Sequence, residues 1–240
     1  MKPAQTLAGI ASSGRSASYG NCAEKATSAY ALKGIEAVKS MRAKRIRGVL
    51  FDFDGTLTLP GAVDFLSIRK EISCPLEVPV LEFIEGQPAE KRTPLLEVLS
   101  LREAIAAEQS QPNEGAETCL SELKRRGILL GIHTRNSLLS VQRALGKFRT
   151  VLAEDFRAIM TRDDSLPKPH ADGVLKASTK MGVSVEELMV VGDYRFDIIA
   201  GSSAGACTVL LTNGKKPALL LEDPAPDHVV DRLEEILDLL

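Results

Sequence analysis

The sequence predicts an α/β fold, a mainly parallel sheet with helices on both faces and a small helical cap inserted after the first strand. Three observations carry that expectation. Short apolar runs bounded by turn residues alternate with helical stretches from Arg47 onward, the pattern of strands joined by crossover helices. Several of the helical stretches stop at a glycine, which a left-handed helix end favours. Between Gly61 and Pro112 the rhythm breaks, and no convincing strand appears.

In chain order, Met1 to Gly20 is rich in Ser, Ala and Gly and carries no acidic residue, so a flexible tail is expected. The alternative is an organelle transit peptide, which is Ser-rich and acid-free in the same way but carries more arginine than the single Arg15 here. Ala23 to Arg45 has helical composition and a basic end (Lys39, Arg42, Lys44, Arg45, Arg47). It reads as a helix leading into the first strand, with a face for an anionic partner as the second reading.

The first strand is "GVLFDF", residues 48–53. Pro60 precedes the segment 61–112, in which Pro75, Pro79, Pro88 and Pro94 separate helical pieces such as "PLLEVLSLREAIAAEQ". Its position places it over the carboxyl edge of the sheet, where such folds bind ligands, and suggests a lid. The helix "NEGAETCLSELKRRG" leads to the strand "ILLGIH" (128–133). After the helices "SLLSVQRALGKF" and "ADGVLKASTKMG" comes the strand "LMVVG" (188–192), then the helix "YRFDIIAGSSAG" and the strand "CTVLL" (207–211). The ending "HVVDRLEEILDLL" reads as a last short strand and a closing amphipathic helix. The expected organisation is an extension over 1–46, a core formed by 47–60 and 113–240, and a cap over 61–112.

Composition excludes several function classes. Apolar residues make up 44% and charged residues 26% of the 240, with a net charge of −2, so no global field favours nucleic acid or an anionic membrane. Trp is absent and aromatics are 4%, which argues against base-stacking platforms. The four cysteines, at 22, 74, 119 and 207, have no close pair, so reduced structural thiols are expected rather than a zinc site or a disulfide framework. No apolar run approaches the ~18 residues of a membrane span, and the first 20 residues show no apolar leader segment. A cytoplasmic protein is expected, with organelle import as the alternative. Nothing in the pattern specifies an oligomeric state.

The informative residues follow the strands. Asp52, Asp54 and Thr56 follow the first, Thr134, Arg135 and Asn136 the second, and Asp193 with Asp197 the "VVG" strand. Lys168 stands between two prolines in the loop "DDSLPKPHADG". In a parallel sheet these strand ends open on one side, so the carboxylates, a hydroxyl and a lysine converge. Burying several carboxylates together is costly without a cation. Oxygen ligands with no His or Cys alongside point to Mg²⁺. The lysine and hydroxyl then make a seat for a phosphoryl group, with loop and helix N–H groups as further donors. An aspartate near the metal can attack phosphorus, and a neighbouring carboxylic acid can move the proton.

This ordered set resembles the haloacid dehalogenase-like (HAD) hydrolase superfamily, over Arg47 to Leu240. "DFDGTLT" resembles its first motif, "GIHTRN" is similar to the second, Lys168 in "LPKPHADG" fits the third and "VVGDYRFDIIAGSSAG" the fourth. The overall pattern looks most like the phosphoglycolate-phosphatase-like branch. The resemblance implies a Rossmann-like core and a Mg²⁺-dependent hydrolase of a small phosphorylated metabolite. It makes Asp52 the nucleophile, through an aspartyl-phosphate, and a metal ligand. Asp54 would be the general acid/base, with its backbone carbonyl on the metal, and Asp193 would complete the metal shell. Thr134 and Lys168 would hold phosphoryl oxygens, with Arg135 and Asn136 touching phosphate or substrate. Asp197 would orient Lys168 or a water on the metal, with Thr56 and Gly192 as further supports.

Dehalogenases of this superfamily lack an acid at the second aspartate position, so Asp54 argues against dehalogenation. Phosphomutases share all four motifs and stay open as an alternative, as does a catalytically retired binding or scaffold protein. The cap charges Arg69, Lys70, Lys91, Arg92 and Arg102 face either solvent or a second anionic group on the substrate. His133, His170 and His228 have no ligand spacing among them, and His133 is expected to pack beside the site.

Overall fold

The computed structural model describes residues 45–217 and 219–240, and the expected tail and basic helix of the extension lie outside these apart from Arg45. Residues Arg45–Leu240 form one compact unit.

Six strands form one parallel sheet: β1 (Gly48–Phe51), β2 (Leu129–His133), β3 (Phe156–Met160), β4 (Leu188–Gly192), β5 (Cys207–Leu211) and β6 (His228–Val230). Their order is β3-β2-β1-β4-β5-β6. Every residue of β1 is buried, as a central parallel strand covered on both faces must be. Its side chains alternate between two cores. Val49 and Phe51 pack with Cys119, Leu120 and Leu123 of α4 (Ala116–Arg125) and Val141 of α5 (Leu138–Leu145). Leu50 packs on the other face with Val174 and Met181 of α6 (Asp172–Met181) and Ala200 of α7 (Arg195–Ala204).

Register sets the site. Phe51 aligns with Ile132 of β2 and with Val191 of β4, so the chain leaves all three strands at one level of the carboxyl edge. The strand order reverses direction between β1 and β4, which is where such sheets open a ligand crevice.

The cap consists of α1 (Phe65–Ile72), α2 (Val80–Glu85) and α3 (Ala89–Gln109). Asp64 caps α1 by accepting from the Ser67 N–H at 3.0 Å, and the helix ends at Ser73 in the left-handed region. Pro79 and Pro88 immediately precede α2 and α3, a position where a missing N–H costs nothing. Ile68, Val80, Ile84 and Leu99 close a small core of their own. The connections into and out of the cap pair with one another: Leu59 N–H donates to Gln111 at 3.0 Å and Asn113 N–H to Leu57 at 2.8 Å.

Four details differ from the sequence reading. The strand β3 was not anticipated, because "FRAIM" alternates buried and exposed positions around Arg157 at the sheet edge and carries little apolar signal. The first strand ends at Phe51, leaving Asp52 and Phe53 in the turn. Pro94 lies inside α3 rather than before it; a proline in the second turn sacrifices a single backbone bond. The closing segment is a 3-10 helix, Leu233–Leu239. Gly182 and Gly205 do end α6 and α7 in the left-handed conformation. Among the described residues no helix is long and apolar enough to cross a membrane.

Candidate active site

The turn after β1 is tightly built. The N–H groups of Leu57 and Thr58 both donate to the Phe53 carbonyl, at 3.0 and 2.9 Å. Gly55 has φ +81°, and a Cβ there would fall 2.2 Å from Asp193 Oδ2. Glycine is therefore required twice, for the backbone conformation and for the carboxylate beside it. Two side chains that the sequence did not single out hold this turn from outside. Asn113 donates to the Thr56 carbonyl at 2.9 Å, and Asn213 donates to the Gly55 carbonyl at 2.8 Å.

Asp52 projects from this turn into the crevice, only 8% exposed. Its Oδ1 accepts from Lys168 and its Oδ2 from the Thr56 hydroxyl at 3.4 Å. Lys168 also donates to Asp197 Oδ1 at 2.6 Å. Burial alone would push this ammonium down, but Asp197 and Asp52 together hold it above its ordinary range. Asp197 sits in the first turn of α7, where its Oδ2 accepts from the Tyr194 N–H at 3.2 Å. Gly192 lets that carboxylate approach, since a Cβ there would lie 2.2 Å from Asp197 Cγ.

Asp54 is held differently. Its Oδ2 accepts from Asn136 at 2.6 Å, so Asn136 meets this carboxyl group in the structure. Burial, then the charges of Asp52 and Glu103, push Asp54 up to about 7 against the Asn136 bond. Burial and the neighbours Asp52 and Asp197 push Asp193 up to about 8. Burial likewise pushes Asp197 up to about 6, although Lys168 opposes it. Carboxyl oxygens of Asp52, Asp193 and Asp197 lie within 4.8 Å of one another. One ammonium among four acids leaves the cluster short of positive charge, and its donors are all oxygens. That donor set fits a hard divalent cation. Lys168 engages both Asp52 and Asp197, and the Tyr194 N–H also engages Asp197.

The Thr134 hydroxyl accepts from the Asn136 N–H at 3.1 Å; Thr134 is buried and, like Lys168, lines the cavity. Arg135 does not point at the carboxylate cluster. It forks onto Glu82 of α2, at 2.9 and 2.5 Å, donates to the Lys168 carbonyl, and lies 5.2 Å from the Phe196 ring centroid. Of the cap cations, Arg69 folds onto carbonyls of its own lobe and Arg102 pairs with Glu71 near the surface. Lys70, Lys91 and Arg92 are exposed. His133 is buried beneath the site, and a Cβ on Gly173 would strike its Nε2 at 2.1 Å. Burial and then Lys168 push its pKa down to about 3.

Sequence reasoning missed Asn113, Asn213, Glu82 and Glu103. Each is a single polar residue in a helix or loop with no spacing signal; only the fold brings them to the crevice.

Known proteins match this architecture. The profile of the haloacid dehalogenase-like hydrolases matches residues 60–211, a span that begins just after the Asp52–Thr56 turn. An uncharacterised hydrolase of Saccharomyces cerevisiae, YOR131C, is 34% identical over 87% of this chain and 95% of its own. The pyrophosphatase PpaX of Bacillus cereus is 29% identical over 82% of this chain and 97% of its own. In fold, the chain is similar to a predicted phosphoglycolate phosphatase from Haemophilus somnus 129PT, with a TM-score of 0.64, 22% identity and coverage of 82% and 99%. With a matching profile, a relative aligned along nearly its whole length and the same parallel sheet, the chain belongs to the haloacid dehalogenase-like hydrolases.

Proposed function

We propose that this hydrolase is a Mg²⁺-dependent phosphomonoesterase that works through an aspartyl-phosphate on Asp52. The observation that carries the reading is the separate anchoring of two acids two residues apart. Lys168 and Thr56 hold Asp52, while Asn136 holds Asp54 separately, at 2.6 Å.

Asp52 and Asp193, with the Asp54 backbone carbonyl, would hold the cation. When bound, Mg²⁺ supplies charge neutralisation and in-line orientation of the phosphoryl group. Lys168 and the Thr134 hydroxyl would bind its oxygens. An Asp52 carboxylate oxygen attacks phosphorus, the bond to the leaving alkoxide breaks, and the Asp54 carboxyl gives that oxygen its proton. Asp54, now a carboxylate, takes a proton from water, whose oxygen attacks phosphorus and breaks the bond to Asp52. Phosphate leaves, and both acids are restored. Asp197 takes no part in bond making; it keeps the ammonium in place.

The test is phosphate release over a panel of phosphomonoesters and inorganic pyrophosphate, with and without Mg²⁺, beside Asp52→Asn. Pyrophosphate belongs in the panel because a relative is named for it. The expected result is Mg²⁺-dependent release from monoesters that Asp52→Asn abolishes, since an amide cannot form the acyl-phosphate. Release that survives in the Asn variant would remove Asp52 from the nucleophile's role. No release from any compound would favour a scaffold protein on the same fold.

A further inference from the structure

Three arginines line the cavity between cap and sheet, which holds about 560 Å³, and they differ in what they already grip. Arg195 sets its Nε–Nη2 edge on the Asp223 carboxylate, and Arg135 forks onto Glu82 through Nη1 and Nη2. An acid answers each of these charges. Arg69, in the last turn of α1, has no acidic partner among the described residues. Its Nη1 donates to the Pro75 and Val78 carbonyls and to the Cys74 Sγ, all in the connection to α2.

The guanidinium is therefore anchored with one edge free. Among the described residues Nε and Nη2 carry no hydrogen bond, and neither is sealed from solvent. These two nitrogens form the side-on fork that grips a carboxylate or phosphate through parallel bonds, the same edge that Arg195 sets on Asp223. Neutral carbonyls fix the group without cancelling its charge. Glu77 is the one acid in the connection to α2; it is exposed and makes no ion pair with Arg69. Phe65, Val80, Leu81 and Leu99 share the cavity lining with Arg69, and apolar surroundings strengthen a charge pair. Lys168 and the acid cluster belong to the core and Arg69 to the cap, so a substrate between them can present a different end to each.

We propose that Arg69 determines substrate specificity: its Nε–Nη2 edge binds a second anionic group, a carboxylate or phosphate, on the part of the substrate that leaves as the alcohol. The preferred substrates are then phosphomonoesters with a second anionic end. The inference deepens the phosphomonoesterase reading above and rests on it.

Two pairs of compounds test it. 3-Phosphoglycerate and glycerol 3-phosphate differ only in a carboxylate against a hydroxymethyl group. Fructose 1,6-bisphosphate and fructose 6-phosphate differ only in a second phosphate. Each is measured as a substrate and as a competitor of p-nitrophenyl phosphate hydrolysis. The wild-type enzyme is expected to favour the more charged member of at least one pair by about tenfold or more in kcat/KM or inhibition constant. Which pair shows the preference distinguishes carboxylate from phosphate. Arg69→Met is expected to lower that ratio about tenfold. A purely structural Arg69, holding the connection to α2 alone, would lower both members alike, so an unchanged ratio in the folded variant would overturn the inference. Should Arg69→Met not fold, Arg69→Lys carries the comparison: it keeps a charge for the carbonyls but has no fork, and the ratio is expected to fall about threefold. A wild-type enzyme with no preference for the more charged member of either pair would overturn the inference without any variant. Failure to hydrolyse p-nitrophenyl phosphate or any other monoester would instead overturn the phosphomonoesterase reading itself.

Discussion

Lys168 Nζ donates to Asp197 Oδ1 at 2.6 Å and to Asp52, so one buried cation ties the turn after β1 to the first turn of α7. Removing it leaves two buried carboxylates facing each other. Lys168→Met is expected to cost about 3–5 kcal/mol, the range for breaking a buried pair from one side, and to abolish turnover. Asp197→Asn leaves the Lys168–Asp52 pair intact and should cost less stability while lowering kcat. Urea denaturation and phosphate release read both effects. A Lys168→Met protein as stable as wild type would show that this bridge does not hold the two elements together.

Gly55→Ala tests the close approach of Asp193 to the turn. The substitution forces an L side chain to φ +81° and drives its Cβ to 2.2 Å from Asp193 Oδ2. The conformation alone costs about 1–2 kcal/mol. The displaced carboxylate is expected to weaken Mg²⁺ binding as well, measurable by calorimetric titration and by the Mg²⁺ concentration at half-maximal activity. Unaltered Mg²⁺ dependence would mean that Asp193 does not need its present position.

The parts legible in the sequence were those with short-range signals. β1, β2, β4 and β5 are nearly continuous apolar runs because a parallel sheet buries both faces. Asp52, Asp54, Thr134, Lys168 and Asp193 were traceable because each follows a strand or stands between prolines. The level at which they meet was not, since it follows from the Phe51–Ile132 and Phe51–Val191 register. The partners of Arg135 and Asp54 were also hidden. Glu82 lies on α2 and reaches Arg135 only because the cap folds over the crevice, and Asn136 turns to Asp54 rather than to open cavity. An edge strand such as β3, half exposed and interrupted by Arg157, carries too little pattern to be read.

The Arg135–Glu82 fork joins the loop after β2 to the cap, and both side chains are partly exposed, at 21% and 34%. Such a pair adds little to stability, about 1 kcal/mol or less. Glu82→Ala should therefore leave the denaturation midpoint nearly unchanged. It frees the guanidinium inside the cavity, so KM for anionic monoesters is expected to fall more than kcat changes. The comparison is steady-state kinetics at low and high salt, because the gain should shrink as salt screens the freed charge. A large loss of stability instead would make the fork structural.

His133 gives a pH-dependent prediction of definite sign. Burial and Lys168 hold its pKa at about 3 in the folded protein against an ordinary 6.5, with only Asp172 opposing. Above 6.5 the ring is neutral in both folded and unfolded chains and contributes nothing. As pH falls from 6.5 toward 3, only the unfolded chain takes up the proton, so stability is lost through that window, by at most about 1.4 kcal/mol per pH unit. The raised carboxyl groups Asp54, Asp193 and Asp197 act in the opposite sense, since the folded chain protonates them first as pH falls. The whole-protein profile therefore mixes the two, and the His133 share appears as a difference. His133→Leu should lose less stability between pH 6.5 and pH 4 than wild type, whatever its stability at pH 8. Urea midpoints measured at these three pH values give the comparison. Parallel acid limbs in the two proteins would mean that the buried ring accepts a proton without penalty.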